Sequence, residues 1–357
     1  MSMVSVWILT IIHGMKKDQK IRIFINGFGR IGRSAARILL EDESFELVGI
    51  NDLYNHEQMA YLLKYDSLYG ILKHTVSLNN GTLIIDGSPV KLFCERDPTR
   101  MDLHSLNVDV VLQCSGMFLT THSNLPLIGN GAKRVIVSAP MTDDTPTYIF
   151  GVNHREYRQE SIISNSSCSA NAIVPLFKII DGHFGIDAAM MSMYHSYTAY
   201  QNLLDGKHYS KDIRRTRSAT QNIIPLLSSA AEATGYFFPH LKDRMYAKSI
   251  RVPIPGTTLY ALDIRIKKET TVEEVNEILL QEAETAYSHI LDATAFPRSS
   301  EEYVQNPYSA VVNLPFTAIV GDDLLRISAW QDNEYGYAKR LVDIAKYLGY
   351  SDASIAQ

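Results

Sequence analysis

The strongest constraint on the fold is a glycine-rich turn between a strand pattern and a helix pattern near the amino terminus. The stretch IRIFINGFGRIGRSAARILLE begins with residues of β type from Ile21, and apolar residues recur at helical spacing from Ile31. Gly27, Gly29 and Gly32 lie between the two patterns in GxGxxG spacing. Such a turn lets a pyrophosphate approach the backbone at the helix N-terminus. The context of strand, turn and helix therefore predicts a dinucleotide-binding unit.

An acidic residue at the end of the next strand pattern indicates which dinucleotide is bound. The stretch FELVGIND ends at Asp52, about 20 residues after Gly32. A carboxylate here binds the ribose hydroxyls of NAD and repels the 2′-phosphate of NADP, so NAD is the predicted cofactor. The predicted cofactor contacts of this segment are Gly27, Phe28, Gly29, Arg30, Ile31, Gly32 and Asp52.

Two further strand patterns extend the first half of the chain. They read VDVVLQCSG and AKRVIVSAP, with helical or loop segments between them. Alternating strands and helices predict an α/β fold with a doubly wound parallel sheet, in which ligands lie across the carboxyl ends of the strands. Ser115 and Gly116 close the first of these patterns and are expected to face the cofactor. Cys114, within the pattern, is expected to be a core residue.

Length, charge and cysteine content narrow the class of protein. A chain of 357 residues is longer than one compact core usually supports, which predicts two domains. The net charge of −5 gives no general basic field for nucleic acid. Cys94, Cys114 and Cys168 have no paired spacing, so neither a disulfide framework nor a metal site is expected, and a reducing cytoplasm is the predicted location.

The amino-terminal stretch is apolar but short. Val4 to Ile12 reads VSVWILTII, which is too short to cross a hydrocarbon core of about 30 Å. No Lys or Arg precedes it and no small-residue cleavage site follows it, which argues against a secretory signal. Residues 1–14 are interpreted as a loose tail or an upstream start, with the working chain beginning at Met15. An ordered extra strand is the alternative.

A cysteine in a polar setting is the candidate nucleophile. Cys168 lies in SNSSCSAN, and the apolar helix pattern SANAIVPLFKIID follows it. A thiol at the first turn of a helix is expected to have a lowered pKa, and the N–H groups there can bind the oxyanion formed by attack on a carbonyl. The strand pattern AAMMSMYHSYTAYQ places His195 downstream as a partner for proton transfer.

A set of segments in a fixed order identifies a family resemblance. They are INGFGRIGR, INDLYNHEQMAYLLKYDSLYG, CERDP, GAKRVIVSAP, GVNH, SNSSCSAN, HSYT, RRTRSATQNIIP, IRVPIP and WQDNEYGYAKRLVD. The chain resembles the phosphorylating glyceraldehyde-3-phosphate dehydrogenases and the related erythrose-4-phosphate dehydrogenases. The resemblance implies an NAD-binding domain of residues 15–166 and 334–357, to which a helix of about Asn333 to Leu348 returns. It also implies a catalytic α+β domain of residues 167–333 with a mixed sheet, and a D₂ homotetramer.

The resemblance also implies roles for individual residues. Cys168 is the nucleophile and His195 the general base: an aldehyde forms a thiohemiacetal on Cys168, His195 takes the hydroxyl proton as hydride leaves, and phosphate or water attacks the resulting thioester. Glyceraldehyde 3-phosphate and inorganic phosphate then give 1,3-bisphosphoglycerate. The other implied contacts are Arg251 and Thr198 for the substrate phosphate, Ser167, Ser169, Ser228 and Ser229 for inorganic phosphate, and Arg96, Ser115, Asn333 and Tyr337 for NAD.

Several positions depart from the family pattern around the phosphate sites. Ala170 loses a hydroxyl in SCSAN, Ser229 replaces a glycine, Tyr200 is bulkier than the usual Asp or Thr, and Gln331 replaces the tyrosine of WYDNE. A serine in place of glycine restricts φ. These changes leave erythrose 4-phosphate open as the alternative substrate, whereas Asp52, Thr198 and VSAP favour glyceraldehyde 3-phosphate.

Two other classes of protein are less consistent with the residues. Aspartate-semialdehyde dehydrogenases use a similar cysteine and dinucleotide fold, but HSYT, IRVP and DNEYGY are not their motifs. The joint presence of Cys168, His195, Arg251 and Asn333 argues against a non-catalytic NAD-binding paralogue. The basic run between residues 211 and 217 is interpreted as a subunit-interface loop rather than a nucleic-acid site.

Overall fold

The computed structural model describes residues 20–353, which divide into two compact units. One unit comprises the residues up to Ser166 together with those from Ala338 onward, and the other is Ser167–Tyr337. The chain therefore returns to the first unit at Ala338, whereas the sequence-based boundary is residue 334. The interpretation of residues 1–14 as a tail concerns a segment outside the described residues.

The first unit alternates strands and helices around one large sheet. Its strands are β1 (Ile21–Asn26), β2 (Phe45–Asn51), β3 (Tyr65–Asp66), β4 (Gly70–Ile71), β5 (Val76–Asn79), β6 (Thr82–Ile85), β7 (Ser88–Phe93), β8 (Val110–Gln113), β9 (Arg134–Val137) and β10 (Ile162–Ser164). Its first helices are α1 (Arg30–Leu40), α2 (His56–Lys64) and α3 (Thr121–Gly129).

The parallel part of this sheet has the predicted doubly wound order. Strands β10, β9, β8, β1, β2 and β7 lie side by side in that sequence and run parallel. After β1, the chain places β2 and then β7 on one side of this strand, and later places β8 on the other side of β1. The direction of winding therefore reverses between β1 and β8, and a ligand crevice forms at the carboxyl ends of such a pair.

An antiparallel hairpin extends the parallel sheet beyond β7. Strand β5 pairs with β6 and β6 pairs with β7, both in antiparallel register. Asn80-Gly81 and Asp86-Gly87 form the two turns, and all four residues have positive φ between 47° and 82°. This is the geometry of two-residue type I′ turns, for which Asn-Gly and Asp-Gly are the preferred sequences.

The core of the first unit follows from its apolar periodicity. Helix α1 contacts β2 and buries Ala35 and Ile38 at helical spacing. Phe24 of β1 and Val111 of β8 join one buried cluster with Leu127 of α3. The strands that carry the glycine turn and the following loops are therefore held by packing on both faces of the sheet.

The second unit contains the predicted mixed sheet. Its strands are β11 (Ile186–Ser196), β12 (Ile224–Leu227), β13 (Met245–Val252), β14 (Thr257–Ile266), β15 (Leu291–Thr294), β16 (Ala310–Asn313), β17 (Ala318–Val320) and β18 (Leu324–Asp332). They lie in the order β12–β13–β11–β14–β18–β16–β15, with β17 paired to β18. Strand β11 runs parallel to β13 and antiparallel to β14. The predicted combination of a doubly wound unit and an α+β unit is confirmed.

The remaining helices are α4 (Cys168–Phe184), α5 (Ala230–Phe237), α6 (Val272–Glu284) and α7 (Tyr335–Ala353). Helix α4 begins at the candidate nucleophile, as the apolar pattern after Cys168 predicts. Helix α7 begins two residues later than the sequence-based estimate and extends past Leu348. Within residues 20–353, no helix combines the length and the apolar character that a bilayer-spanning segment requires.

Candidate active site

The candidate nucleophile is the first residue of helix α4. Ser167 caps this helix, because its hydroxyl accepts a hydrogen bond from the Ala170 N–H at 3.1 Å. Ser166 has a φ of 55°, in the left-handed region that residues other than glycine seldom occupy. Such conformations are concentrated at functional sites. Cys168 consequently lies just after a sharp turn, in the first helical turn, where backbone N–H groups have no intrahelical partner.

His195 lies on strand β11 between two neighbouring strands. It is in register with Arg251 on β13 and with Thr258 on β14. The Nε2 atom of His195 is 3.9 Å from the Sγ atom of Cys168, within hydrogen-bonding range of sulfur. The imidazole is buried, with 4% of the residue exposed. The structure thus brings together the two residues that the sequence pairs as nucleophile and base.

The other ring nitrogen of His195 has two competing partners. Nδ1 lies 2.7 Å from the carbonyl oxygen of Ser196 and 2.5 Å from Nη1 of Arg251. When Nδ1 carries the proton it donates to Ser196, and Nε2 is then the atom that accepts a proton on the side of Cys168. Burial and the positive charge of Arg251 lower the pKa of His195 to about 3. The imidazole is therefore neutral near pH 7, which is the form that acts as a base.

The thiol of Cys168 differs from the sequence-based expectation. A helix N-terminus favours a lowered thiol pKa, but burial raises the pKa of Cys168 above its ordinary value. The positive charge of Arg251 and hydrogen bonds from Ser169 oppose this shift without cancelling it. The prediction of a low thiol pKa is therefore wrong for this site. Burial thus favours the uncharged forms of both side chains, a thiol and a neutral imidazole.

Arg251, which contacts His195, also interacts electrostatically with a second guanidinium group, that of Arg215. Burial lowers the pKa of Arg251 to about 10, and the positive charge of Arg215 contributes to the shift. Arg214 and Arg217 each form an ion pair with an aspartate, whereas the Arg215 side chain has no hydrogen bond or ion pair among residues 20–353. In the sequence, Arg215 belongs to the basic run of residues 211–217, and a run of this kind does not reveal which of its charges are paired with an acid.

The other candidate phosphate ligands of this unit include Thr198, Ser228 and Ser229. The Thr198 hydroxyl donates to Oε1 of Gln201 at 3.2 Å. The Ser228 hydroxyl accepts from the Ala230 N–H at 3.2 Å, just before helix α5. Ser229 has a φ of −75°, which any residue adopts. The serine that replaces a glycine at this position is therefore unstrained.

Ser169 and Tyr200 have different surroundings in the structure. Ser169 is buried and interacts with the sulfur of Cys168 through its hydroxyl and its N–H. Tyr200 is 54% exposed, and its ring meets that of Tyr209 with the centroids 6.4 Å apart. The bulk of Tyr200 is thus directed to the surface of the unit, whereas Ser169 is part of the environment of the nucleophile.

Asn333 follows strand β18, and its side-chain amide is held in one orientation. The hydroxyls of Ser196 and Thr258 donate to its Oδ1 atom at 2.7 Å and 3.2 Å. Because the oxygen accepts both bonds, the NH₂ group is the part of the amide that can donate to a ligand. Tyr337, the other predicted residue of this segment, is buried in the first turn of α7.

The glycine turn of the first unit has the space that a dinucleotide requires. A Cβ added to Gly27 would lie 2.3 Å from the N atom of Ser115, and one added to Gly32 would lie 2.1 Å from the Gly27 oxygen. A Cβ added to Gly29 meets nothing within 4 Å, at the N-terminus of a helix that begins at Arg30 without a side-chain cap. This space and the N-terminus of the helix fit the pyrophosphate of NAD.

Asp52 follows strand β2 and contacts the same turn. Its carboxylate accepts hydrogen bonds from the N–H groups of Phe28 at 2.5 Å and Leu53 at 2.6 Å. Arg96 is exposed in the loop after β7, and Ser115 lies in the loop after β8. The predicted cofactor residues of this unit therefore lie at the carboxyl ends of neighbouring parallel strands, where a dinucleotide binds in such sheets.

A chain of buried amides behind these loops was not predicted. Asn51 donates to Asn26 at 2.7 Å, Asn26 donates to Gln113 at 3.2 Å, and Gln113 donates to Asn124 at 3.3 Å. The Ser115 hydroxyl also donates to Gln113, at 2.8 Å. Asn51, Asn26 and Gln113 are each the last residue of a strand. An amide closing each apolar strand pattern was the signal that could have revealed this network.

Comparison with known families gives matches across both units. Residues 21–121 match the family model described as the glyceraldehyde 3-phosphate dehydrogenase NAD binding domain. Residues 167–333 match the model described as the glyceraldehyde 3-phosphate dehydrogenase C-terminal domain. The second match includes Cys168, His195 and Arg251, and the first includes the glycine turn and Asp52.

Curated relatives match over most of their own length. Glyceraldehyde-3-phosphate dehydrogenase 2 of Streptomyces avermitilis is 39% identical over 332 residues, which cover 92% of this chain and 98% of the relative. Glyceraldehyde-3-phosphate dehydrogenase 2 of Bacillus subtilis is 37% identical over 331 residues, with 92% and 97% covered. The chloroplastic glyceraldehyde-3-phosphate dehydrogenase B of Pisum sativum is 38% identical over 333 residues, with 91% of this chain and 73% of the relative covered.

Proposed function

Because this chain belongs to the glyceraldehyde-3-phosphate dehydrogenase family and takes NAD as its cofactor, we propose that it oxidises D-glyceraldehyde 3-phosphate in the presence of inorganic phosphate to 1,3-bisphosphoglycerate. The observation that carries the proposal is the distance of 3.9 Å between Sγ of Cys168 and Nε2 of His195. A cysteine nucleophile and a neutral imidazole at this separation can exchange a proton directly or after a small movement.

Cys168 and His195 perform the covalent steps of the reaction. His195 takes the thiol proton at Nε2 while Sγ adds to the aldehyde carbon, and it returns the proton to the carbonyl oxygen to give a thiohemiacetal. His195 then removes the hydroxyl proton as a hydride leaves the same carbon, which produces a thioester. NAD supplies the hydride acceptor. Attack of phosphate on the thioester forms the acyl phosphate and releases the Cys168 thiolate, which takes back the proton held by His195.

Arg251, Arg215 and Thr198 are the proposed ligands of the substrate's own phosphate. The Arg251 pKa reflects a buried guanidinium with a second positive charge nearby, and an anion offsets this repulsion. The planar fork of arginine also matches phosphate geometry through two parallel hydrogen bonds. Thr198 adds a hydroxyl that can turn from Gln201 to a ligand.

The attacking phosphate is proposed to bind at four serines. Ser167 and Ser169 flank the nucleophile at the start of α4, and Ser228 and Ser229 immediately precede α5. Serine hydroxyls and the backbone N–H groups of first helical turns both donate to phosphate oxygens. The relaxed φ of Ser229 supports this proposal, since a serine there causes no backbone strain.

The proposed NAD ligands include the glycine turn, Asp52 and Asn333. Gly29 and the first turn of α1 accommodate the pyrophosphate, and Asp52 accepts from the ribose hydroxyls. The NH₂ group of Asn333 is oriented to donate to the nicotinamide carboxamide. The complete proposed set is Gly27, Phe28, Gly29, Arg30, Ile31, Gly32, Asp52, Arg96, Ser115, Asn333 and Tyr337.

The protein is also proposed to form a homotetramer in a reducing cytoplasm. Large apolar side chains between β11 and β12 are exposed in the single chain, namely Leu203, Leu204, Tyr209, Ile213 and Ile223. An exposed apolar surface of this kind is typical of an interaction site, and contact with further copies of the chain would cover it. All three cysteines are unpaired, which fits a reducing compartment.

Steady-state kinetics with both candidate aldehydes test the proposed function. The purified protein should reduce NAD with glyceraldehyde 3-phosphate more efficiently than with erythrose 4-phosphate, and Cys168→Ser should be inactive with both. The rate should also depend on added inorganic phosphate. More efficient, phosphate-independent oxidation of erythrose 4-phosphate would instead favour the alternative substrate, and no reduction of NAD with either aldehyde would contradict the proposal.

A further inference from the structure

Two buried side chains behind the nucleophile have no part in the reaction as described above. Tyr260 on β14 is completely buried, and Gln331 on β18 is 1% exposed. The Tyr260 hydroxyl donates to Oε1 of Gln331 at 2.7 Å, and Nε2 of Gln331 donates to the carbonyl oxygen of Cys168 at 3.2 Å. A continuous chain of hydrogen bonds therefore joins the middle of the sheet to the first residue of α4.

A second pair of this kind joins β14 to the residue that follows β18. Thr258 donates its hydroxyl to Oδ1 of Asn333 at 3.2 Å, just as Tyr260 donates to Oε1 of Gln331. Thr258 and Tyr260 are two residues apart on β14 and therefore share a face of the sheet. In both pairs a hydroxyl occupies the amide oxygen, so the NH₂ group must point away from it. The hydroxyl thus determines which way each amide donates.

The Tyr260–Gln331 pair has no charge at working pH. Burial raises the pKa of Tyr260 well above that of an ordinary tyrosine, and negative charge at Cys168 raises it further. The phenol therefore stays a hydrogen-bond donor, and the amide of Gln331 does not titrate. Such a pair acts on the nucleophile through position and not by exchanging protons with it.

We propose that Tyr260 and Gln331 are a positioning pair that holds the backbone of Cys168 so that its sulfur stays opposite Nε2 of His195. The carbonyl group of Cys168 is one bond from the Cα atom that carries the thiol, so a bond to this carbonyl restricts where the sulfur lies. Misplacement of a reacting atom by a fraction of an ångström lowers its rate. The role in turnover rests on the proposed function of Cys168, whereas the effect on thiol reactivity does not.

Single and double substitutions test the pair. Tyr260→Phe removes the hydroxyl and keeps the ring, and Gln331→Met removes the amide at similar length. Tyr303→Phe is the matched control, because the Tyr303 hydroxyl is also buried, has no hydrogen-bond partner in the described chain, and belongs to a ring stacked on Trp330 of β18. The readouts are the rate of Cys168 alkylation by iodoacetamide across pH, the values of kcat and KM, and the melting temperature.

Each single substitution should slow alkylation of Cys168 and lower kcat by roughly twofold to tenfold, the equivalent of one neutral hydrogen bond, with little change in KM. The double variant should be no slower than the slower single variant, because the pair acts as one unit. Tyr303→Phe should alkylate like the unchanged protein.

Three results would overturn the pairing. They are an alkylation profile of Tyr260→Phe that superposes on that of the unchanged protein, effects of the two substitutions that multiply, and equal slowing by Tyr303→Phe. Alkylation requires neither NAD nor aldehyde, so it tests the pair even if the protein does not oxidise glyceraldehyde 3-phosphate. If the substitutions slow alkylation as predicted but the unchanged protein shows no turnover, that result contradicts the proposed function and not the positioning pair.

Discussion

Arg251 lies directly across from His195 on the neighbouring strand, with its Nη1 atom 2.5 Å from Nδ1 of the imidazole. The contact places a positive charge against the proposed base and is one reason why the pKa of His195 falls to about 3, the larger reason being burial. One side chain therefore connects the proposed phosphate site to the protonation of the proposed base.

Replacing Arg251 by Gln should affect both of these properties. We expect KM for glyceraldehyde 3-phosphate to rise roughly tenfold to hundredfold, the usual effect of losing hydrogen bonds to a charged group. The pKa of His195 should rise from about 3, because the repulsion of the guanidinium is lost. Steady-state kinetics and NMR titration of the His195 ring protons measure these effects.

Arg214→Gln is the matched control for Arg251→Gln. Arg214 is paired with Asp212 at 2.7 Å and is exposed, so its loss should leave KM and the His195 pKa nearly unchanged. Equal effects of the two substitutions on KM would show that general positive charge, and not a specific phosphate contact, determines binding of the aldehyde.

His195→Asn tests the proposed base. An amide of similar shape keeps polarity at this position but cannot accept a proton, so kcat should fall by roughly 10²–10⁴, the usual contribution of general acid–base catalysis. Circular dichroism should be unchanged. Turnover within a few fold of the unchanged enzyme would assign His195 a structural role.

Burial of His195 should make folding stability depend on pH. Its pKa is about 3 in the folded chain and about 6.5 in an unfolded one. The contribution is therefore fully present above about pH 6.5 and is lost as the pH falls towards 3, because only the unfolded chain binds the proton. Relative to His195→Asn, the free energy of unfolding should decrease by up to about 1.4 kcal/mol per pH unit in this window.

Urea unfolding of both proteins at pH 7.5 and at several lower pH values gives this difference directly. The two stability profiles should converge or cross as the pH decreases, since only one protein carries the imidazole. Profiles that stay parallel between pH 7.5 and 5 would mean that His195 is readily protonated in the folded state.

Asp52 is expected to determine the choice between NAD and NADP. Asp52→Ala should weaken NAD binding and raise the relative efficiency with NADP, since the carboxylate no longer binds the ribose hydroxyls or repels a 2′-phosphate. Asp52→Asn is the control, because it keeps the shape of the side chain and one of the two oxygens that accept from the N–H groups of Phe28 and Leu53, but removes the negative charge. The ratio of kcat/KM values with the two cofactors measures the preference. Equal ratios in all three proteins would remove Asp52 from this role.

Local sequence patterns predicted the features that depend on neighbouring residues. The glycine turn, the acidic residue after β2 and the helix that starts at Cys168 each have a short signature, because a turn, a strand and a helix impose their own spacing. The hairpin that begins with β5 also has a short signature, because Asn-Gly and Asp-Gly are preferred sequences for type I′ turns and occur here as Asn80-Gly81 and Asp86-Gly87.

Contacts between distant segments could not be predicted from local sequence patterns. Tyr260 and Gln331 are 71 positions apart, and Gln331 and Cys168 are 163 apart. No periodicity connects residues that meet only when strands of the sheet become neighbours. The thiol pKa was mispredicted for a related reason: the helix N-terminus is visible in the sequence, whereas the burial that raises the pKa of Cys168 depends on the whole unit.

The central claim is that Cys168 carries an acyl group which inorganic phosphate removes. The most direct measurement is ³¹P NMR of the product formed from glyceraldehyde 3-phosphate and NAD during a titration with inorganic phosphate, with Cys168→Ser as the control. The account predicts a rate that rises with phosphate and saturates, an acyl-phosphate resonance in the product, and no product from the variant. A rate independent of phosphate with only the free acid formed, or product formation by Cys168→Ser, would contradict it.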